Sequence, residues 1–224
     1  MKNKNIQKIG SSIKYGIMGS LLYGFGDWLI IYGDPTHSSD LKFLTNGTAN
    51  IPQWRYSLSM FIVFPGIIFY GIGLFSLEEL INENKYKKIY HYLNIFGLTS
   101  WISLHLFFIM ILSLFSWMNK NGFKEQSILV CEGLFSQLSW VIIISEIMII
   151  PVFIYWFYLQ YKGKTIFPKY YAFTNVIFIY IFLQIVLKFI PISPFHLGFK
   201  CGLMNESMFI WFLIILKFTR KIKK

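Results

Sequence analysis

Six long apolar stretches, separated by short lysine-rich loops, constrain this chain more than any other feature of its sequence. A hydrocarbon layer about 30 Å thick needs ~20 mainly apolar residues to be crossed by a helix. Stretches of that kind lie near residues 13–33, 57–77, 92–118, 133–158, 170–190 and 203–218. In lipid every backbone N–H and C=O has to be paired, and within one long apolar segment only a helix does that. The chain therefore reads as all-α: a polytopic membrane helix bundle with six transmembrane helices, forming one domain over residues 1–224. No hydrophilic stretch is long enough for a separate soluble domain, and neither an internal repeat nor a low-complexity linker is visible. The first apolar stretch is longer than a signal-peptide core and lacks a small-residue cleavage site, so it reads as a retained helix.

Charge gives the orientation. Only 14% of residues are charged and 55% are hydrophobic, which leaves too little polar surface to cover a soluble globule. The net charge of +11 could suit nucleic acid. The basic residues are spread over loops and tails, however, and this distribution argues against nucleic acid and for a lipid bilayer as the partner. The N-terminal tail, the second and fourth loops and the C-terminal end hold fifteen of the 21 basic residues. The other six are Lys42, Arg55, Lys120, Lys124, Lys188 and Lys200. By the positive-inside rule both termini are cytoplasmic, and the protein is a multi-pass resident of the cell membrane.

Polar residues inside the spans mark faces that turn toward the bundle interior. Gly16, Ser20, Tyr23 and Asp27 share a face of the first span, and Arg55, Ser59, Gly66, Tyr70 and Gly73 a face of the second. Asn94, Trp101, His105 and Ser116 line up in the third, and Glu132, Ser136, Ser139 and Glu146 in the fourth. Gly and Ser at such positions are accounted for by helix packing. Ionisable groups cost more, ~2.5 kcal/mol or above for a carboxylate facing lipid, and so point to an interior site. Asp27, His105 and Glu146 are those groups, with Arg55 at the outer mouth of the second span. The four form the candidate binding cluster, with an Asp27–Arg55 ion pair as the expected outer contact. The plainer reading is a neutral, hydrogen-bonded Glu146 and a His105 satisfied by a backbone carbonyl.

The step Gly26–Asp27, the pair Tyr32–Gly33, Trp54–Arg55 at the head of a Gly-rich second helix and His105 in the third are short motifs. Together with Asn205 in the last helix, they resemble an uncharacterised family of bacterial six-helix membrane proteins. That resemblance covers nearly the whole chain. It implies a fold and a set of recurring polar positions, and no activity.

Signatures of established chemistry are missing. The sequence has no phosphate-cradling loop, no serine elbow and no His-Glu-x-x-His motif, and no cofactor is expected. A zinc set of His37, His105, His196 and Asp27 is conceivable, but no spacing requires it, so the expectation is no metal. The first outer loop, Asp34–Trp54, reads as an interfacial segment over the outer mouth, either a lid or a partly disordered connection. Cys131 and Cys201 both fall on the outer side, where a disulfide is permitted if the fourth and sixth helices are neighbours. The alternative is two unpaired thiols.

Function stays open between classes. The first reading is a protein that binds or transports a small polar or amphiphilic molecule from the outer side. The alternative is an intramembrane lipid-head-group enzyme with His105 or Glu146 as acid/base, or else a structural, accessory or immunity-like protein.

Overall fold

The computed structural model describes residues 2–37 and 39–222. The Lys223 and Lys224 counted above lie outside the described residues. The eight α-helices among the described residues are α1 (Lys2–Ile31), α2 (Asn46–Asn50), α3 (Gln53–Ser76), α4 (Asn84–Lys120), α5 (Lys124–Leu138), α6 (Trp140–Tyr161), α7 (Val176–Leu187) and α8 (Pro194–Ile222). Two 3₁₀ turns, Leu77–Leu80 and Lys169–Thr174, follow α3 and precede α7. Strand geometry among these residues is limited to two isolated bridges, His37 with Thr45 and Ile81 with Thr165.

Four helical segments are long and apolar enough to cross a membrane: Gln53–Leu80, Asn84–Lys120, Trp140–Tyr161 and Pro194–Lys221. That is fewer than the six stretches of the sequence, for reasons visible in the packing. The stretch 133–158 is broken at Ser139, so residues up to Leu138 end α5 and the long helix starts at Trp140. Glu132, Ser136 and Ser139 therefore do not share a helix face with Glu146. The stretch 170–190 begins as a 3₁₀ turn, and α7 itself has only 12 residues. Asn175 makes this division by capping α7, its side chain accepting from Ile177 N at 3.0 Å. α1 has the length, 30 residues, but its sequence is diluted by the small and polar residues that bury it.

α1 packs against both α3 and α8. Its Gly19 meets α3 so closely that an added Cβ would lie 2.6 Å from Tyr70 N and 2.8 Å from Gly66 O. Gly26 meets Val63 and Ser59 of α3 in the same way, and Gly16 meets Phe212 of α8. Small residues at such spacing let helix backbones approach closely. The opposite stripe of α1, Met18, Leu21 and Phe25, is exposed.

α4 packs on α3 and α6, while α5 folds back along its C-terminal half. There Asn119 donates to Ser127 Oγ at 2.8 Å, and the Cys131 thiol donates to Ile111 O at 3.7 Å. α7 rests mainly on α8 and touches α6 only sparsely. Between α1 and α3 lies α2, whose capping box joins Thr45 to Thr48. Gly47 then closes against Gly33 and Asp34, with an added Cβ 2.4 Å from Asp34 N. At the other end of the bundle, Asn82 N donates to Lys164 O and Ile166 N to Leu80 O, tying the α3–α4 turn to the segment after α6.

Candidate functional site

Asp27, about one turn before the C-terminal end of α1, and His105, in the middle of α4, reach each other across the bundle. Asp27 is 9% exposed and His105 4%, and Asp27 Oδ1 lies 2.8 Å from His105 Nδ1. The second carboxylate oxygen accepts from Asn205 Nδ2 of α8 at 2.6 Å. Asn205 Oδ1 in turn accepts from the Tyr70 hydroxyl of α3 at 2.6 Å. The other ring nitrogen of His105 is 3.1 Å from Ser59 Oγ, and Ser59 donates its hydroxyl to Gly26 O at 2.8 Å. A single chain of hydrogen bonds thus joins α1, α3, α4 and α8. Aromatic rings seal it: Tyr23 lies edge-on to His105 at 5.0 Å and donates its hydroxyl to Trp101 O.

The order Ser59–His105–Asp27, with carboxylate on Nδ1 and hydroxyl on Nε2, has the connectivity of an acyl-transfer triad. Two facts set it apart. Ser59 is completely buried between α1 and α3, and its only proton is given to a backbone carbonyl. A nucleophile needs its oxygen open to substrate and its proton open to the base. Ser59 has neither, and its bond braces the histidine ring.

One side of this network forms the wall of a cavity of about 890 Å³. Asp27, His105, Asn205 and Glu146 all line it, as do Lys42, Lys200 and Cys201. The remaining wall is apolar and aromatic, with Trp101, Phe108, Ile149, Phe153, Ile177 and Ile181 among its members. The structure therefore brings together three of the four candidate residues. Glu146 is exposed to the cavity side of α6, far less enclosed than Asp27. The segment between α1 and α3 contributes Lys42 and Phe43 to the cavity wall.

Arg55 is the exception. Its guanidinium donates to Tyr32 O at 3.1 Å and Trp28 O at 3.3 Å, closing the C-terminal end of α1. The expected Asp27–Arg55 ion pair is not formed, because the carbonyls that end α1 lie nearer to Arg55 than the carboxylate one turn below. The carbonyl oxygens at a helix C-terminus and the negative end of its dipole are suitable partners for a cation.

Cys131 and Cys201 are free. Of the two arrangements the sequence allowed, the structure has the unpaired thiols: Cys131 turns into the α4–α5 contact, whereas Cys201 faces the cavity from α8. The histidines do not gather either: the His196 ring bonds Ile190 O at 3.0 Å, away from His105. Among the described residues no group of three or more His, Cys, Asp or Glu is arranged to hold a metal ion.

Sequence reasoning missed Glu206. It accepts from Trp28 Nε1 at 2.9 Å, and its Oε2 is buried with no partner among the described residues. The signal was present, since Glu206 is an ionisable side chain within the apolar stretch 203–218. Asn205, the other partner from α8, is uncharged, so the cost of burying charge does not single it out.

No curated protein and no solved structure matches this chain at a significant level. A family model does match, over residues 1–221, which is nearly all of the sequence. The chain thus belongs to the Family of unknown function (DUF6796).

Proposed function

We propose that this chain is a six-pass integral protein of the cell membrane, with both termini in the cytoplasm, that binds a small amphiphilic molecule in the cavity facing Asp27 and His105. The observation that carries this reading is the asymmetry of the cavity wall. One side presents the hydrogen-bonded Asp27–His105–Asn205 patch, and the other is apolar and aromatic. Asp27 keeps a lone pair on each oxygen, and Asn205 keeps one N–H, which suits a ligand bearing a hydroxyl or an amine. Cavities of several hundred cubic ångströms with a few convergent polar groups are the usual form of small-molecule sites. The sparse α6–α7 seam offers such a molecule a sideways path from lipid.

Six passes are supported by lengths as well as charge. The turn Lys169–Thr174 and α7, laid end to end, reach roughly 30 Å, the thickness of the hydrocarbon. α1 is longer still and carries the exposed apolar stripe Met18, Leu21 and Phe25. The first pass then runs outward, and Lys42 and Lys200 stand at the outer end of the cavity. Binding is favoured over carriage because the sequence has no repeat and only Pro65 and Pro151 interrupt long helices.

Native mass spectrometry of the full chain released from lipid nanodiscs tests the reading. A bound amphiphile is expected on the natural protein and is expected to disappear from Ile150→Trp, which fills the cavity from α6. Retention of the same molecule by the filled variant would place binding elsewhere. Topology is tested separately by cysteine labelling: Asp40→Cys should react from outside and Asn84→Cys should not, and equal labelling at both sinks the six-pass arrangement.

A further inference from the structure

The geometry points to a proton-binding site: Asp27 and His105 together hold one proton at the cavity wall, and the cavity is its route in and out. The directions of the hydrogen bonds require it. Ser59 has a single hydroxyl proton, and its shorter contact, 2.8 Å, is to Gly26 O, an oxygen that can only accept. Its contact to His105 Nε2 at 3.1 Å must then be supplied by a proton on that nitrogen. The remaining contact, Nδ1 to Asp27 Oδ1 at 2.8 Å, also needs a proton between the two atoms. A neutral imidazole has only one N–H, and Nε2 already carries it. The second proton is therefore additional, either on Nδ1 as an imidazolium facing a carboxylate or on Asp27 as a carboxylic acid facing the ring.

In both forms the pair is electrically neutral, which is what a low-dielectric interior selects. The surrounding charges leave no other means of neutralising Asp27. From α1 the pair is faced by Tyr23, and from α3 by Ser59 and by Tyr70 through Asn205. α6 supplies Glu146 and α7 Tyr180 across the cavity, while α8 supplies Lys200 and Cys201 there and Glu206 on the Trp28 side. Lys42 completes the wall from the loop. Neither lysine lies within ion-pair distance of Asp27, and Arg55 is held by carbonyl oxygens. The acids nearby, Glu146 and Glu206, offer Asp27 no positive charge, so the proton remains the group that neutralises it. Removing it would leave the Nδ1 lone pair facing carboxylate lone pairs at 2.8 Å, so loss of the proton separates the two side chains. Filling of this site and the arrangement of the cavity wall are then one event.

The test needs no cavity ligand, so its outcome is independent of the amphiphile reading. The full chain, labelled with ¹⁵N-histidine and held in nanodiscs, is measured by solid-state NMR at neutral pH, with the His105 signal assigned by its loss in His105→Gln. Infrared spectra of natural protein and Asp27→Asn are compared alongside. The expected result is a protonated Nε2, together with either a protonated Nδ1 or a carboxylic-acid band that Asp27→Asn removes. On raising the pH one proton per chain should leave, with the His105 signal shifting in step. A bare Nε2, or a bare Nδ1 beside an ionised Asp27, overturns the proposal. Because these readings come from the natural protein, they decide the matter even if Asp27→Asn does not fold.

Discussion

Asp27 and His105, 78 positions apart in the chain, face each other at 2.8 Å across the contact of α1 and α4. Their contact is enclosed by Tyr23, and its two outer ends are fixed, by Ser59 on the ring and Asn205 on the carboxylate. Each partner is thus oriented by a neighbour that the other does not touch.

A double-mutant cycle reads this coupling. His105→Leu leaves a buried carboxylate without its proton partner, and the expected cost is ~3–5 kcal/mol. Asp27→Leu with His105→Leu removes both polar groups and should cost clearly less than the sum of the two single changes. Unfolding in mixed micelles gives the three values. Additive costs would mean that the two side chains do not interact.

Arg55 holds the end of α1 through two carbonyl oxygens, a geometry that a planar guanidinium serves and a single ammonium does not. Arg55→Lys should therefore destabilise by about 1–2 kcal/mol. Hydrogen exchange should quicken in the last turn of α1 and stay unchanged around Tyr23. Faster exchange at Tyr23 as well would mean that Arg55 acts on the Asp27 network after all.

Two glycines make a paired test of packing. Gly19→Ala puts a methyl group 2.6 Å from the Tyr70 backbone nitrogen, which must force α1 and α3 apart. A loss of roughly 1–3 kcal/mol or more is expected from such overpacking. Gly133, inside α5, has nothing within 4 Å of an added Cβ, so Gly133→Ala should stabilise by up to ~1 kcal/mol through helix propensity. Thermal unfolding of the two variants should shift in opposite directions.

Glu83 and Lys164 clamp the start of α4 to the segment after α6, with Lys164 Nζ 2.9 Å from Glu83 Oε1. The hydrogen bond from Lys164 holds the Glu83 carboxyl below its ordinary value, and Glu83 in turn raises the Lys164 ammonium. A depressed carboxyl contributes stability above its ordinary value and loses it as pH falls through the lowered one. A raised ammonium contributes below its ordinary value and loses it as pH rises through the raised one. The clamp should hold across neutral pH and loosen at both extremes, as read by hydrogen exchange at Asn82 N and Ile166 N. Glu83→Gln should abolish the acid limb of that profile.

Both cysteines should alkylate as free thiols in denatured protein purified without reductant, and mass spectrometry counts them. In the folded protein Cys201 should react first, since it borders the cavity while Cys131 is closed inside the α4–α5 contact. A non-reduced species lacking both alkyl groups would restore the disulfide.

The sequence by itself determined the helical class, the long apolar segments and the burial of Asp27 and His105. Each follows from a cost that can be counted along a chain: unpaired backbone in lipid, or charge among apolar residues. Spacing also placed Ser59, Tyr70 and Tyr23 on the inner faces of their helices. Only the tertiary structure decided which side chains meet. Depth along a helix can be read from residue number, but the rotation and neighbours of each helix depend on contacts with all the others. Arg55 had the right depth for Asp27 and found the α1 carbonyls instead. Glu146 shared a periodicity with Ser139 that a helix break at that serine erased. Asn205 became a partner of Asp27 because Gly16, against Phe212 of α8, lets that helix approach α1. Such close contacts arise only when separate segments pack, so no local pattern in the sequence encodes them.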